Sequence, residues 1–342
     1  MSPNKENVGN LLRIHMEYWP SQVVLTAVEL NLFAELGDDA LTAEQLGKRL
    51  GLCHPRGTYD FFDALVALRF LVRHGDGPQG RYENIPGMRD ILDQDKGVMW
   101  KGYDLWANLA KALKTGSSLA LPEEPGRSND PDYQNLYYAD DAREFFHAMD
   151  SLQEDNFAVL AEKFDFSRYH RMTDVGCASG LLSRVVATRH PHLKITNFDL
   201  PSVTPYVQGK IEAEGSTDQI SVVSGDFFDD DLPRADIITM GNILHNWGLD
   251  KKQALIAKAH ESLEDGGALI VIETLIDDAR RENAAALLMS LNMLIEFGDG
   301  FSFRARDFRS WCEAAGFDRF ENIELAGPSS AAVAYKGTSR VL

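Results

Sequence analysis

Val24 to Leu36 carries apolar residues at helical spacing, and Asp38-Asp39-Ala40-Leu41-Thr42 ends that element and starts another. Thr42 followed three residues later by Gln45 reads as a capping box for a helix from Ala43 to Leu50, closed by Gly51. A further helix, roughly Pro55 to Leu71, places Phe61, Leu65, Leu68 and Leu71 at three- and four-residue steps. Val72-Arg73-His74 and Arg81-Tyr82-Glu83 flank the turn-prone Gly75-Asp76-Gly77-Pro78 and form a hairpin candidate. From about Trp100 to Phe164 the pattern stays helical, interrupted by a polar, Pro-containing stretch from Pro122 to Tyr133 that reads as a long loop. After Phe164 short runs of Val, Ile and Leu alternate with amphipathic helices, as in a parallel α/β sheet. Strands are expected near 172–175, 194–198, 220–223, 235–240 and 267–273, then 319–325 and 331–335. The short link between the last two predicts an antiparallel pair at the sheet edge. No internal repeat or heptad array is visible.

The pattern predicts two domains. Residues 1–140 form a helical region whose three short helices and two-strand wing look like a winged helix, and residues 141–342 form a seven-stranded, Rossmann-like α/β domain with an antiparallel last strand. A chain of 342 residues with 44% hydrophobic residues has enough apolar material for both cores. A winged helix raises the question of DNA. The presumed recognition segment, Pro55 to Phe62, holds a single Arg, and the formal charge of −18 opposes phosphate contacts, so no nucleic-acid partner is expected. The N-terminus lacks a basic segment followed by an apolar one, and no apolar run approaches the roughly 20 residues of a membrane span, so a cytoplasmic protein without membrane contact is expected. Cys53, Cys177 and Cys312 are too far apart to suggest a disulfide framework or a metal cluster.

The candidate chemistry lies at the carboxyl ends of the expected strands. The first strand runs into Gly176-Cys177-Ala178-Ser179-Gly180 and then a helix from Leu181 to Arg189, so small residues let backbone approach a ligand at a helix N-terminus. A dinucleotide cradle would need a further glycine where this chain has Leu181. Asp174 precedes the loop, where it would repel a pyrophosphate but suits an amino-acid moiety. Asp199, ending the second strand before Leu200, can accept both hydroxyls of a ribose. Asp226 and Phe227, after the third, offer a second acid and an aromatic face for an adenine. Each has a plainer reading as a tight turn, an Asx turn or a core ring; the ordered set is what points to a nucleoside-bearing cofactor.

After the fourth strand comes Gly241-Asn242-Ile243-Leu244-His245-Asn246-Trp247, and the fifth ends in Glu273. If these strands are neighbours, Glu273 can hold one imidazole nitrogen of His245 and leave the other to accept a proton. A lone histidine at a strand end is otherwise a common structural residue.

The segments DVGCASG, NFDLP, GDFFDDDLPRAD and ILHNW, in that order behind a helical N-terminal region, closely resemble the class I methyltransferases related to plant caffeic acid and bacterial acetylserotonin-type O-methyltransferases. The resemblance covers nearly the whole chain and is strongest from 172 to 316. It implies S-adenosylmethionine (SAM) as cofactor, with contacts on Gly176, Asp199, Leu200, Asp226, Phe227 and Trp247 beside the loop residues Asp174 and Gly180. It also implies a methyl transfer to a hydroxyl of an aromatic small molecule, with His245 as base and Glu273 orienting it, and no metal. A homodimer through the N-terminal helices, including Leu11 to Tyr18 and Val23 to Leu36, is implied as well. The helix Asn283 to Phe297 would roof the acceptor site with Met289, Asn292 and Met293, joined by Phe145, Met149 and Trp106, although Met and aromatic residues at helical spacing are also ordinary core and Asn292 can equally bond backbone. Two departures stand out: Gly241 replaces a lysine of the plant members, and Ser302 lies nearest the place of their second glutamate. Transfer to carbon or nitrogen, and a SAM-binding relative that transfers no methyl, remain alternatives.

Overall fold

The computed structural model describes residues 14, 17–86, 105–116, 118 and 142–338. The chain divides into two compact units between Gly102 and Tyr103. The sequence placed this boundary later, after residue 140. The difference arises because the short helix α5 (Leu109–Thr115), defined below, packs with the α/β unit, on α10.

In the first unit, α1 (Tyr18–Glu29) and α2 (Leu32–Leu36) replace the single helix expected over 24–36. Asn31, at φ 55°, sits between them in the left-handed region and breaks the 3.6-residue pattern that the apolar spacing alone would continue. The two-residue strand β1 (Leu41–Thr42) leads into α3 (Ala43–Arg49). The capping box is formed: Gln45 N donates to Thr42 Oγ1 at 3.3 Å and Thr42 N donates to Gln45 Oε1 at 3.0 Å. Helix α4 (Pro55–Ala67) ends four residues before the expected Leu71, because Leu71 already belongs to β2 (Leu71–His74), which pairs antiparallel with β3 (Arg81–Asn84). The wing therefore has three strands, in the order β1-β3-β2. Its core gathers Leu32, Leu36, Leu46, Phe62, Leu65 and Tyr82, all fully buried.

The second unit contains α5, then α6 (Ala142–Lys163), β4 (Arg171–Val175), α7 (Leu181–Arg189), β5 (Lys194–Asp199), α8 (Thr204–Ala213), β6 (Ile220–Ser224) and β7 (Ala235–Gly241). It continues with α9 (Leu249–Ser262), β8 (Leu263–Glu273), α10 (Ala284–Phe297), α11 (Ala305–Ala315), β9 (Phe317–Glu324) and β10 (Ser330–Lys336). The sheet order is β6-β5-β4-β7-β8-β10-β9. All seven strands fall where hydrophobic runs predicted them, and β10 runs antiparallel to both β8 and β9, as the short link required. Residues such as Ile237, Ile238, Ile270 and Val271 are wholly buried, which is why these strands read as continuous rather than alternating apolar runs. The sheet order reverses at β4, between β5 and β7, which opens a crevice at the carboxyl edge. The expected loop over 122–133 and much of the helical stretch from Trp100 lie outside the described residues.

Candidate active site

The loop after β4 turns through three residues with positive φ: Gly176 at 69°, Ala178 at 49° and Gly180 at 73°. Glycine is required twice over at the first and last. A Cβ on Gly176 would collide with the Ile243 side chain, and one on Gly180 would lie 2.9 Å from Asn197 Nδ2. The loop is tied to the next strand by Gly176 N donating to Phe198 O at 2.8 Å.

Asp199 closes the same knot. Its Oδ2 accepts from Ala178 N and its Oδ1 from Leu200 N, both at 2.8 Å, which leaves each oxygen lone-pair capacity for a ligand hydroxyl. Burial pushes this carboxyl up to about 6 against those two stabilising N–H bonds. Asp174 is pushed up to about 7, again by burial, partly offset by hydrogen bonds from Thr239 Oγ1 at 2.7 Å and Ser183 Oγ at 3.4 Å. Among the described residues neither acid has a cationic side chain as its ion-pair partner, so a positively charged ligand fits the electrostatics of this edge.

A cleft of about 1100 Å³, open to solvent, lies here. Asp174, Gly176, Asp199, Leu200, Asp226, Phe227 and Trp247 all line it; Gly180 does not, and acts by letting the loop turn. Phe227, Phe228 and Trp247 form an edge-on aromatic cluster, with Phe228 and Trp247 ring centroids 4.7 Å apart. On the opposite side α6 contributes Phe146, Met149, Asp150, Gln153 and Phe157. Of these only Met149 was expected. The signal was legible, since residues 146, 149, 150, 153 and 157 share one helical face. Asn242, Ile243 and Asn246, also missed, reach the cleft because Asn242 takes a φ of 54° and redirects the chain after β7. Gly241 has ordinary clearance, and the ring of Phe157, 3.8 Å from a notional Cβ, stands where a longer side chain would extend.

His245 and Glu273 are brought together by the parallel pairing of β7 with β8. Glu273 Oε2 lies 2.6 Å from His245 Nδ1, and Oε1 accepts from His245 N at 3.1 Å. The Nδ1 contact is close but out of line for a formed hydrogen bond. His245 is 7% exposed and Glu273 2%, so the pair is buried, with His245 held in the turn Leu244–Asn246. Nε2 has no partner among the described residues. The turn after α10 packs directly on this element, since a Cβ on Gly300 would lie 2.7 Å from Asn246 O. Ser302 is buried there with its hydroxyl unbonded within the described residues, and its N–H donates to Ser290 Oγ at 3.2 Å.

The expected acceptor residues are distributed differently. Neither His245, Glu273, Trp106, Met289, Asn292 nor Met293 lines the cofactor cleft. Asn292 Oδ1 accepts from Trp106 Nε1 at 2.8 Å, and Asn292 Nδ2 donates to Glu296 Oε1 at 2.9 Å, so this amide is largely engaged inside the protein. Met293 is buried and Met289 half-buried on the same helix. The side chain of Phe145 lies outside the described residues.

Residues 106–318 match the family model of the O-methyltransferase domain, and residues 12–87 that of the O-methyltransferase dimerisation domain. The chain is 38% identical over 339 residues to the tetracenomycin polyketide synthesis 8-O-methyl transferase TcmO of Streptomyces glaucescens, with 96% of each chain covered. It is 33% identical over 330 residues to the N,N-dimethyltransferase OxyT of Streptomyces rimosus, covering 92% of this chain and 93% of that one. Among solved structures, human N-acetylserotonin methyltransferase in complex with SAM superposes with a TM-score of 0.83 at 26% identity, over 99% of this chain and 100% of the other. A glycine-turned loop, two buried acids awaiting positive charge and a family match spanning both units lead to one conclusion: the chain belongs to the SAM-dependent O-methyltransferase family.

Proposed function

We propose that this enzyme methylates a hydroxyl of an aromatic small molecule of the fused-ring polyketide type, with His245 as general base. The observation that carries the reading is the 2.6 Å approach of Glu273 Oε2 to His245 Nδ1 at the edge where β7 and β8 end, beside the cofactor cleft. The relationship to TcmO supports the substrate class.

Bound SAM supplies an electrophilic methyl group on a sulfonium. Asp199 would hold the ribose hydroxyls, Phe227 and Trp247 would flank the adenine with Asp226 nearby, and the loop 176–180 would take the amino-acid end. Asp174 braces β4 against β7 and α7 through Thr239 and Ser183, and its charge complements a cationic ligand. Glu273 anchors the His245 backbone through its Oε1 and sets its Oε2 beside Nδ1, where a small rotation of the ring would complete the hydrogen bond, which leaves Nε2 to take the proton of a phenol whose ordinary pKa is about 10. Such a positioned base contributes about a hundred- to ten-thousand-fold. Burial of the pair keeps water from competing for that proton. Asn292, tied to Trp106, shapes the acceptor side by holding α10 to the segment 105–107, with Met289, Met293 and Met149 as apolar walls.

The dimerisation-domain match supports a homodimer through the N-terminal helices, where Ile14, Tyr18 and Trp19 are exposed. Free Cys53, Cys177 and Cys312 support a reducing, cytoplasmic setting, and no described helix is long and apolar enough to cross a membrane. A second reading, transfer to nitrogen, is favoured by the relationship to OxyT. Incubation with methyl-labelled SAM and a panel of hydroxy- and amino-substituted naphthalenes, naphthacenes and anthraquinones, followed by mass spectrometry of the product, distinguishes them. Label on oxygen supports the first reading, label on nitrogen the second, and no labelled product with any acceptor overturns both.

A further inference from the structure

Lys252 is wholly buried near the start of α9, a position at which the helix dipole disfavours a cation. A lysine in such a place is expensive, and an apolar side chain of similar volume is commonly neutral or stabilising. Its surroundings are specific. Nζ donates to the Trp247 carbonyl and lies 3.3 Å from the centroid of the Phe301 ring, with Phe303 at 5.8 Å. Two carboxylates act on it from other elements: Glu273 at the end of β8, which also holds His245, and Asp299 in the turn after α10. Asp299 itself stands over Gly248, 2.6 Å from a notional Cβ there.

We propose that Lys252 is a positioning residue: its ammonium, seated between the Trp247 carbonyl and the Phe301 ring, fastens the His245–Trp247 turn that forms one end of the cofactor cleft. The proposal rests on the reading of that cleft as the SAM site. Trp247 lines the cleft and its carbonyl accepts from Lys252 Nζ, so one residue links the anchor to the ligand site. Phe301 and Phe303 bracket Ser302, so the same ammonium joins the turn after α10 to the His245 turn, on the side where the plant members carry their second glutamate. Desolvation lowers Lys252 to about 7, against the pull of Glu273 and Asp299, so the anchor loses its charge just above neutrality. The neutral amine keeps an N–H for the carbonyl but loses the charge-assisted bond and the attraction to the ring.

Calorimetric titration with S-adenosylhomocysteine (SAH), which needs neither acceptor nor base, tests this. Wild-type affinity falls about tenfold between pH 6.5 and pH 8.5. The K252M variant, folded with a wild-type or higher Tm, binds at the weaker level and shows no dependence on pH above 7. Wild-type affinity that is flat across that range, or a folded K252M with wild-type affinity and pH dependence, overturns the proposal. The ionisation of Asp174 spans the same range and is common to all variants, so should K252M fail to fold, K252R decides: it keeps its charge to pH 8.5 and binds there more tightly than wild type, and a K252R protein with the wild-type profile overturns the proposal. Failure of the underlying reading looks different: no SAH binding at any pH.

Discussion

Asp199 carries the sharpest consequence of burial at the level of one residue. In the proposed contact its ionised carboxylate accepts two ribose hydroxyls, and burial holds it up at about 6. A ligand that prefers the ionised form therefore loses affinity as pH falls through that value. SAH affinity is expected to decline roughly tenfold per pH unit below about 5.5, and D199N, which replaces one acceptor oxygen with a donor, should weaken SAH by about 2 kcal/mol or more at pH 7.5. Calorimetry across pH 4.5–7.5 reads both; a flat profile for the wild type would remove Asp199 from the contact set. The places of Asp199, Asp226 and His245 were legible because each ends or follows a strand at one edge, which periodicity locates. Lys252 was not, since a lysine in a polar helix turn reads as solvated, and only the approach of Phe301 from 49 positions away makes it a buried cation.

Element by element, the turn after β4 and the start of α3 show what local sequence can and cannot specify. Gly176→Ala places a Cβ at φ 69° and against Ile243, a change expected to cost about 1–3 kcal/mol of stability and to abolish measurable SAH binding. Urea denaturation and calorimetry check it; a G176A protein that binds SAH normally would show that the loop yields without cost. Thr42→Ala removes one half of a formed capping box and should lower stability of the first unit by about 1 kcal/mol, with no change in SAH affinity. Strand positions, the capping box and the antiparallel final pair followed from short-range patterns. The break at Asn31 and the early end of α4 did not, because backbone conformation there overrides an unbroken apolar spacing. The stripe 146-149-150-153-157 on α6 was legible in principle, yet a polar pair, Asp150 and Gln153, masks it as an exposed face. Asn292 was read from its spacing as an amide facing the acceptor; its partners within the protein include Trp106, 186 residues away in sequence, which no local pattern points to.

For the molecule as a whole, the buried acids and the buried lysine make a distinctive stability profile. Asp174 and Asp199 are raised above their unfolded values, so their contribution is complete below about pH 4 and is lost as pH rises through 6 to 7. Lys252 is lowered, so its contribution is lost as pH falls through about 7 and recovers toward pH 10. These three groups together predict a minimum in the Tm of the ligand-free protein near pH 7. Scanning calorimetry checks this; a Tm that rises steadily from pH 4 to 7 would contradict it. The same whole-molecule view explains why an acidic chain of net charge −18 suits a cationic cofactor and a neutral aromatic better than an anionic partner.

In the proposed reaction His245, held by Glu273, removes the acceptor's proton. Transfer of label from methyl-labelled SAM to a hydroxylated fused-ring aromatic by wild type and His245→Ala, with SAH affinity measured on the same preparations, tests it most directly. For His245→Ala a fall in kcat of about a hundred- to ten-thousand-fold is expected, with SAH affinity within twofold of wild type. A variant that keeps its turnover within a few-fold while binding SAH normally would contradict it.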